Sequence, residues 1–246
     1  MSGPWLAGLL RPISSLRPAW LEHLPSQCAV CRAWPSRRMC DDCVMRFAPP
    51  TLRCRTCASP LPDGLSQCGD CVKQAPPLDA CMAACAYVWP WPECIAQFKF
   101  RGDAGWAAPL ATLMRSTPWV EPALDACDLV LPMPLSRERL RERGFNQAYE
   151  LACRLAPKRK CDATLLLRTR ETTAQSGLTR AERLRNLQGA FALEPLRATA
   201  VQGKRIVLVD DVMTSGASMF SAAQVLRTAG AAHITAVVLA RTDPPS

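Results

Sequence analysis

The sequence lacks long apolar stretches. No apolar run approaches the ~18–20 residues that a helix needs to span a bilayer, so we predict no membrane-spanning helix and no membrane insertion. The first ten residues contain a short apolar patch, but no basic residue precedes it and no small-residue cleavage site follows, which argues against a signal peptide. No low-complexity tract is present either. We therefore expect a cytoplasmic protein.

Charged residues and histidine are also scarce. Only 21% of the residues are charged and 49% are hydrophobic, which excludes a disordered chain. The two histidines, His23 and His233, are predicted to be structural and not catalytic. The 246 residues suffice for one large domain, or for a medium domain with a small module. The formal charge of +9 indicates a surface that attracts anions such as phosphates or nucleic acid, without choosing between them.

Cysteine, in contrast, is abundant. Fourteen cysteines in a chain without an export signal indicate metal ligands more than disulfides. Eight of them form four C-x2-C pairs, and two such pairs complete one Cys₄ zinc site that leaves no position for a catalytic water. The predicted ligands of one or two structural Zn²⁺ ions are Cys28, Cys31, Cys40, Cys43, Cys54, Cys57, Cys68 and Cys71. Sequential and interleaved pairing both satisfy the ligand count, so the spacing leaves the pairing open.

The other six cysteines show no second set of such pairs. They are predicted to be small buried apolar residues. They are Cys81, Cys85, Cys94, Cys127, Cys153 and Cys161.

The chain changes character near residue 75. The linker Gln-Ala-Pro-Pro at 74–77 marks an extended boundary, because a residue before proline is disfavoured in a helix. We predict a short helical segment over 1–25, a zinc ribbon module over 26–75 and a larger domain over 78–246. In the larger domain, strand-like runs at 81–89, 128–134, 205–209 and 234–240 alternate with helical patterns at 104–115, 145–156 and 218–229. This alternation predicts an α/β fold with a mostly parallel sheet and helices on both faces.

A strand, a loop and a helix follow one another around residue 210. The apolar run 206–209 predicts a buried strand, with Asp210 and Asp211 at its carboxyl end and Gly216 before the next helix. Ligands of open α/β sheets bind beyond the carboxyl ends of the strands, and the N–H groups of a helix amino terminus suit a phosphate. Paired carboxylates suit ribose hydroxyls, directly or through hydrated Mg²⁺. One segment is therefore predicted to hold a sugar and its phosphate together.

This segment, Val-Leu-Val-Asp-Asp-Val-Met-Thr-Ser-Gly-Ala-Ser at 207–218, closely resembles the phosphoribosyl-pyrophosphate (PRPP) motif of type I phosphoribosyltransferases. The resemblance implies a type I phosphoribosyltransferase-like domain behind the zinc ribbon, with PRPP and Mg²⁺ as ligands. A relative that keeps the loop without turnover is the alternative. The predicted PRPP-binding residues are Asp210, Asp211, Val212, Met213, Thr214, Ser215, Gly216, Ala217, Ser218, Arg137 and Arg143.

Positive charge is concentrated in the region 136–185, which has 13 Lys and Arg against 6 Asp and Glu. Within it, four arginines occur at alternate positions from Arg137 to Arg143. Guanidinium groups bind phosphate oxygens bidentately, so this cluster is a candidate pyrophosphate site. The alternative is a solvated helix on which glutamates at i, i+4 neutralise the arginines.

Several motifs are similar to those of the ComF family, the relatives of competence protein F. They are Pro-Met-Pro-Leu at 132–135, Arg-Gly-Phe-Asn-Gln-Ala at 143–148, Phe-Lys-Phe-Arg-Gly-Asp at 98–103, and the residues Gln175, Leu178, Arg183, Asn186, Ala190 and Phe191. The resemblance runs from about residue 28 to the carboxyl terminus. It implies a link to natural transformation or the use of external DNA.

The resemblance also favours a pyrophosphate contact for Arg143. It implies that the segment 172–185, with Arg180 and Arg183, is a mobile loop that closes over the ligand. The alternative for this segment is a basic surface that contacts a nucleic-acid backbone.

Two functions from different classes are therefore open. The first is a PRPP-dependent glycosyltransferase (a pentosyl transferase) or PRPP sensor, with Asp210, Asp211 and Arg143 as candidate catalytic residues. Only six residues follow the last predicted strand, so any acceptor pocket is expected from the zinc module, from 89–91 or from 98–101. The second is a nucleic-acid-binding zinc-ribbon adaptor that contacts single-stranded DNA and DNA-processing proteins.

Overall fold

The computed structural model describes residues 26–100, 102–170 and 189–243. The predicted helical segment 1–25, His23, Arg101 and the predicted loop 172–185 with Arg180 and Arg183 lie outside the described residues, so these predictions stay predictions.

The described residues form short helices and two sheets. The helices are α1 (Asp41–Phe47), α2 (Gly69–Lys73), α3 (Trp91–Phe100), α4 (Ala107–Arg115), α5 (Val120–Ala126), α6 (Arg137–Arg143), α7 (Gln147–Leu155) and α8 (Ala217–Thr228), with 3₁₀ turns at Ala104–Trp106 and Pro195–Val201. The strands are β1 (Ala80–Ala86), β2 (Leu129–Pro132), β3 (Leu166–Arg168), β4 (Phe191–Leu193), β5 (Arg205–Met213) and β6 (His233–Arg241). None of the helices in the described ranges is long and apolar enough to cross a bilayer.

The main sheet is parallel, with strand order β1-β6-β5-β2. The two long central strands pair over their whole length, from Arg205 opposite His233 to Met213 opposite Arg241. Strands β3 and β4 form a separate antiparallel pair. Parallel strands that are buried on both faces have nearly continuous apolar sequences, as β5 and β6 do. The predicted parallel α/β sheet is confirmed.

Alternate residues of β5 pack into two cores on opposite faces of the sheet. Ile206 and Leu208 pack in one core with residues of α8, whereas Val207 and Val209 pack in the other with residues of α3, α4, α5 and α7. Side chains alternate across a strand, which explains this division. The sheet therefore has helices on both faces, as predicted.

The cysteine-rich segment packs against both cores. Around its first half, Met39 is buried in the core that contains α4, and the Trp91 indole donates a hydrogen bond to the carbonyl of Phe47 (2.7 Å). In its second half, Cys54 and Cys57 are buried in the core that contains α8. The two halves of one repetitive sequence thus support different faces of the sheet. The division of the chain at residue 75 remains a prediction.

Strand β5 is longer than the predicted 205–209. It continues through Asp210 and Asp211 to Met213, because the backbone of β6 continues to pair with it, with Asp210 opposite Val238 and Val212 opposite Ala240. The two carboxylates therefore lie within the paired part of β5 and not beyond its end. Alternation then directs them differently, since Asp211 is 6% exposed whereas Asp210 is partly exposed.

Candidate functional site

A cleft of about 340 Å³ opens at the carboxyl ends of the parallel strands. Its walls are the end of β5, the loop 214–216, the start of α8, the segment 133–135 and the facing ends of α6 and α7. Its charged lining residues are Lys99, Arg139, Arg143, Arg168, Asp210 and Asp211. Four cations against two carboxylates give the cleft a positive character that suits a polyanionic ligand.

The two carboxylates in the cleft have different surroundings. Asp211 forms an ion pair with Lys99, whose Nζ lies 3.0 Å from Oδ1, and both side chains are largely buried. Asp210 accepts a hydrogen bond from the backbone N–H of Asp211 (2.9 Å), and no cation of the described residues pairs with it directly. Burial, and then the charge of Asp211, raise the pKa of Asp210 to about 7, although Lys99 and Arg143 act against the rise. The Asp210 carboxyl can therefore accept a further partner, such as a metal cation or a sugar hydroxyl.

Arg143 places a guanidinium against the carboxylate side of the cleft. It is the last residue of α6, which begins at the capping hydroxyl of Ser136 and ends at Gly144, with φ 75°. Its Nη1 donates to Oε1 of Gln147 (3.0 Å), and the guanidinium lies 5.2 Å from the centre of the Phe100 ring. Its Nε is buried without a hydrogen-bond partner among the described residues, and burial lowers the pKa of Arg143. A buried unsatisfied donor in a cleft marks a position where an anionic ligand is expected to bind.

Asn146 of the Arg-Gly-Phe-Asn-Gln-Ala motif has a structural role. Its side-chain oxygen accepts from the N–H groups of Ala148 and Tyr149 and so caps α7. Its amide nitrogen donates to the carbonyl of Met133 (3.0 Å), which ties the cap to the loop after β2. The motif therefore ties the start of α7 to the loop after β2, directly after the turn that follows Arg143.

The loop 214–216 turns sharply from β5 into α8. Gly216 has φ 80° and precedes the first helical residue, Ala217. A Cβ atom at this position would lie 2.6 Å from the Phe220 ring and 2.7 Å from Cε of Met213. Only glycine fits this turn without displacing a neighbour. The turn exposes the amino terminus of α8 to the cleft, where the N–H groups of the first turn and the helix dipole favour a phosphate.

The eight paired cysteines form two clusters in sequential order. The first cluster contains Cys28, Cys31, Cys40 and Cys43, and the second contains Cys54, Cys57, Cys68 and Cys71. In each cluster all four sulfur atoms lie within 4.8 Å of one another. The structure thus favours the sequential pairing over the interleaved one.

Sulfur distances within the clusters fit a tetrahedral ion. They are 3.9 Å between Cys28 and Cys43, 3.6 Å between Cys31 and Cys40, and 3.6 Å between Cys57 and Cys68. Four thiolates around one zinc, with Zn–S bonds near 2.3 Å, would lie about 3.8 Å apart. Either cluster could therefore hold a structural zinc ion.

Comparisons with known proteins agree with this geometry. A family model described as the phosphoribosyl transferase domain matches residues 141–246. The chain is 32% identical over 232 residues to the DNA utilization protein YhgH of Escherichia coli strain K12, an alignment that covers 89% of this chain and 98% of that protein. The chain belongs to the ComF family.

Two further relatives of this ComF-family chain have competence names. The competence protein F of Haemophilus influenzae is 32% identical over 76% of this chain and 84% of its own length. The competence protein ComFC of Bacillus subtilis is 34% identical over 61% of this chain and 59% of its own length. A solved structure of the allosteric regulatory enzyme of purine biosynthesis aligns with 54% of this chain and 26% of its own, at 19% identity and a TM-score of 0.32, which is too weak to support an inference.

Most of the predicted PRPP-binding residues line one cleft. Asp210, Asp211, the residues 212–218 and Arg143 all do so. Arg137 begins α6 and is not among the lining residues, whereas Arg139 is. Whether any of these residues binds PRPP stays a prediction.

Several cleft residues are outside the predicted binding set, among them Lys99, Tyr87 and Arg168, which come from distant parts of the chain. Lys99 had been named only within the segment 98–101 considered for an acceptor pocket, and Tyr87 and Arg168 had not been named. Lys99 could have been suspected from its place in the Phe-Lys-Phe-Arg-Gly-Asp motif. No local signal marks Tyr87 or Arg168, because strand ends distant in sequence bring them to the cleft. Trp91, also considered for an acceptor pocket, is fully buried away from it.

The predictions for the remaining cysteines hold in part. Cys81, Cys85, Cys94 and Cys127 are buried, as predicted for small apolar residues. Cys153 and Cys161 are only partly buried, and their sulfur atoms lie 4.0 Å apart. The prediction of full burial was therefore wrong for this pair, because the connection after α7 lies at the edge of the sheet beside Val130.

Proposed function

We propose that this protein binds PRPP together with Mg²⁺ in the cleft. The observation that carries the proposal is the geometry of the cleft, where an intact strand, loop and helix turn with Asp210 and Asp211 lies beside a buried Arg143 Nε that has no partner among the described residues. In this arrangement the residues 214–218 hold the 5′-phosphate. Asp210 and Asp211 hold the ribose hydroxyls and the magnesium ion. Arg143, with Arg139, holds the pyrophosphate.

We further propose that the PRPP site serves the use of external DNA in the cytoplasm. The names of the relatives, competence protein and DNA utilization protein, support this role. Fourteen free thiols and two Cys₄ clusters suited to structural zinc are in keeping with a reducing compartment. The predicted transferase activity is part of the same hypothesis, and so is the predicted PRPP contact of Arg137, which contributes little because Arg137 does not line the cleft.

Calorimetry with PRPP and Mg²⁺ tests the ligand directly. We expect the wild-type protein to bind PRPP and the double variant Asp210→Asn/Asp211→Asn to lose at least 100-fold in affinity, because both ribose and metal contacts are removed. Asp128→Asn is a matched control, since Asp128 lies beside the opposite ends of the strands, where it accepts from the N–H of Arg205 (2.8 Å). An absence of binding heat and of a thermal shift with the wild type would overturn the proposal.

A second function, binding of single-stranded DNA, is favoured by one surface feature. Trp89 is 58% exposed, and its ring meets that of Phe47 edge to face at 4.8 Å. The Arg46 guanidinium lies 5.4 Å from the Phe47 ring. Exposed aromatic rings beside a cation suit the stacking of unpaired bases.

Anisotropy of a labelled single-stranded oligonucleotide tests this second function. Trp89→Ala should weaken binding at least 5-fold at low salt, because base stacking contributes about 1–3 kcal/mol per base. Trp119→Ala is the control, since Trp119 is 74% exposed at the start of α5. Equal affinities of the two variants would count against a role for this surface.

A further inference from the structure

The side chain of Arg241 lies between the second cysteine cluster and the loop 214–216. Arg241 is the last residue of β6 and is only 5% exposed. Towards the cluster, its Nε donates to the carbonyl of Cys57 (3.0 Å) and its Nη2 donates to the hydroxyl of Ser59 (3.2 Å). Towards the loop, its Nη1 donates to the carbonyls of Met213 (3.3 Å) and Thr214. One guanidinium thus bonds a ligand residue of the cluster and the loop of the cleft.

This arrangement is geometrically demanding. The acceptors named above are neutral carbonyl and hydroxyl oxygens, so the buried charge is stabilised by the number and direction of its hydrogen bonds. A guanidinium is planar and rigid, and it therefore fixes the positions of the carbonyls on its two sides relative to each other. If the Cys57 carbonyl moves, it either loses its hydrogen bond to Arg241 or moves the guanidinium. A displaced guanidinium would in turn displace the Thr214 carbonyl.

A second set of contacts follows the same route. The N–H of Cys81 donates to the carbonyl of Arg55 (2.7 Å), which lies in the chain between Cys54 and Cys57 of the cluster. The Cys81 sulfur lies 3.9 Å from the sulfur of Met213. The Met213 side chain in turn fills the space beneath Gly216, where a Cβ atom would meet it at 2.7 Å. Contacts therefore run continuously from the second cluster to the glycine of the phosphate loop.

Among the described residues, the neighbours of the first cluster make no hydrogen bond to the loop 214–216; they bond α3, the helix that carries Lys99, and the turn that follows it. These neighbours reach the opposite face of the sheet, where Phe47 bonds Trp91 and Arg38 pairs with Asp103. The segment of the first cluster therefore contacts α3, whereas the second cluster contacts the loop 214–216 through Arg241.

We propose that Arg241 is a positioning residue through which the metal-filled second cluster holds the phosphate loop in its ligand-binding conformation. The proposal rests on the proposed PRPP site. It predicts that metal in the second cluster and PRPP in the cleft each strengthen the binding of the other, because coupling between two sites is reciprocal. The first cluster is outside this coupling.

The first test compares two arginine variants of the zinc-loaded protein by calorimetry with PRPP and Mg²⁺. Arg241→Lys keeps the charge but cannot bond both sides, so the Kd should rise at least 10-fold. Arg227→Lys is the control, because Arg227 also bonds two backbone carbonyls, those of Ala231 and Ala232, but lies beyond the opposite end of β6. Its Kd should stay within 2-fold of the wild type.

The second test needs no substitution. The protein is exposed to a zinc chelator and a thiol-alkylating reagent, and alkylation of each cysteine is followed by peptide mass spectrometry. PRPP with Mg²⁺ should slow alkylation of Cys54, Cys57, Cys68 and Cys71 at least 5-fold and leave Cys28, Cys31, Cys40 and Cys43 unchanged. In Arg241→Lys the protection should disappear even at saturating PRPP. If Arg241→Lys folds poorly, the wild type alone still tests whether the second cluster and not the first is coupled to the cleft, and the absence of that selective protection overturns the proposal.

The outcomes separate the two proposals. If the wild type does not bind PRPP, the proposed function fails. If it binds PRPP but Arg241→Lys binds equally well, or if PRPP protects both clusters or neither, the coupling through Arg241 is overturned while the PRPP site stands.

Discussion

The cysteine clusters and the cleft differ in how their polar groups are satisfied. In each cluster, four thiols converge within 4.8 Å, so that one ion could satisfy all of them. In the cleft, the pKa of Asp210 is raised to about 7 and the buried Nε of Arg143 has no partner among the described residues. The clusters are therefore sites that stabilise the fold once filled. The cleft holds charges at a cost in folding free energy that a ligand would offset.

The largest expected effect breaks the cluster side of this comparison. Cys54→Ala, at a fully buried ligand position, should release the zinc of the second cluster and lower the free energy of unfolding by about 4 kcal/mol or more. Urea unfolding and metal analysis measure both losses. Cys81→Ala, at a buried thiol outside the clusters, should cost only about 1 kcal/mol and keep all metal. Similar losses for the two variants would show that the cluster does not depend on metal.

The next effect tests the cleft side, where stability should change in the other direction. Asp210→Asn removes a charge that desolvation and the neighbouring Asp211 carboxylate disfavour, so at pH 8 the free energy of unfolding should rise by on the order of 1–3 kcal/mol while PRPP affinity falls at least 10-fold. Urea unfolding and calorimetry measure the two quantities. The same substitution at Asp128 should lower stability slightly, because hydrogen bonding to the backbone N–H of Arg205 lowers the pKa of that carboxyl. The comparison fails if both aspartate variants are destabilised.

The pH dependence sharpens the same point. The pKa of Asp210 is about 7 in the folded protein against about 3.9 in an unfolded chain. Between these values the folded state keeps a proton that the unfolded state releases, so the contribution of Asp210 to stability falls as the pH rises from about 4 to 7. The difference in unfolding free energy between Asp210→Asn and wild type should therefore be small at pH 5 and large at pH 8. Calorimetry should show PRPP binding strengthening from pH 6 to pH 8 in the wild type, since the metal needs the ionised carboxylate. A difference that does not change with pH would contradict the raised pKa.

The smallest change in stability is expected for substitutions of two arginines of one helix. Arg143→Gln should weaken PRPP binding 10- to 100-fold with little change in stability, because its guanidinium has few partners in the free protein. Arg137→Gln should change the affinity less than 3-fold, since Arg137 does not line the cleft. Calorimetry on both variants measures the ratio. Equal losses of PRPP affinity in the two variants would show that Arg137 also contacts the pyrophosphate, as the spacing of the arginines predicts.

Local patterns were sufficient for much of the fold. The apolar run before Asp210, the helix pattern after Gly216 and the four cysteine pairs each depend on neighbours in sequence, and the structure has a strand, a helix and two clusters there. The end of β5 was not predictable in this way. Its extension through Asp211 depends on pairing with β6, which no local propensity reports.

The cleft was predictable only where one segment builds it. Asp210, Asp211 and the residues to Ser218 come from one strand, its loop and the start of the next helix. Tyr87 follows β1, Lys99 is in α3 and Arg168 ends β3. Their approach is a result of strand order. Likewise, Arg139 and Arg143 lie four residues apart on one face of α6, and only the packing of that helix decides that this face, and not Arg137, lines the cleft.

By itself, the sequence determined the chemistry available to this protein: thiols in pairs that one ion can bridge, and a glycine turn after two carboxylates that suits a sugar phosphate. Those properties depend on residue type and short spacing. The tertiary structure alone decided which thiols share a site, which cations face Asp210 and Asp211, and that Arg241 bonds one cluster to the phosphate loop. These depend on sheet register and burial, because Cys57 and Arg241 are 184 residues apart and meet only when β6 is in place.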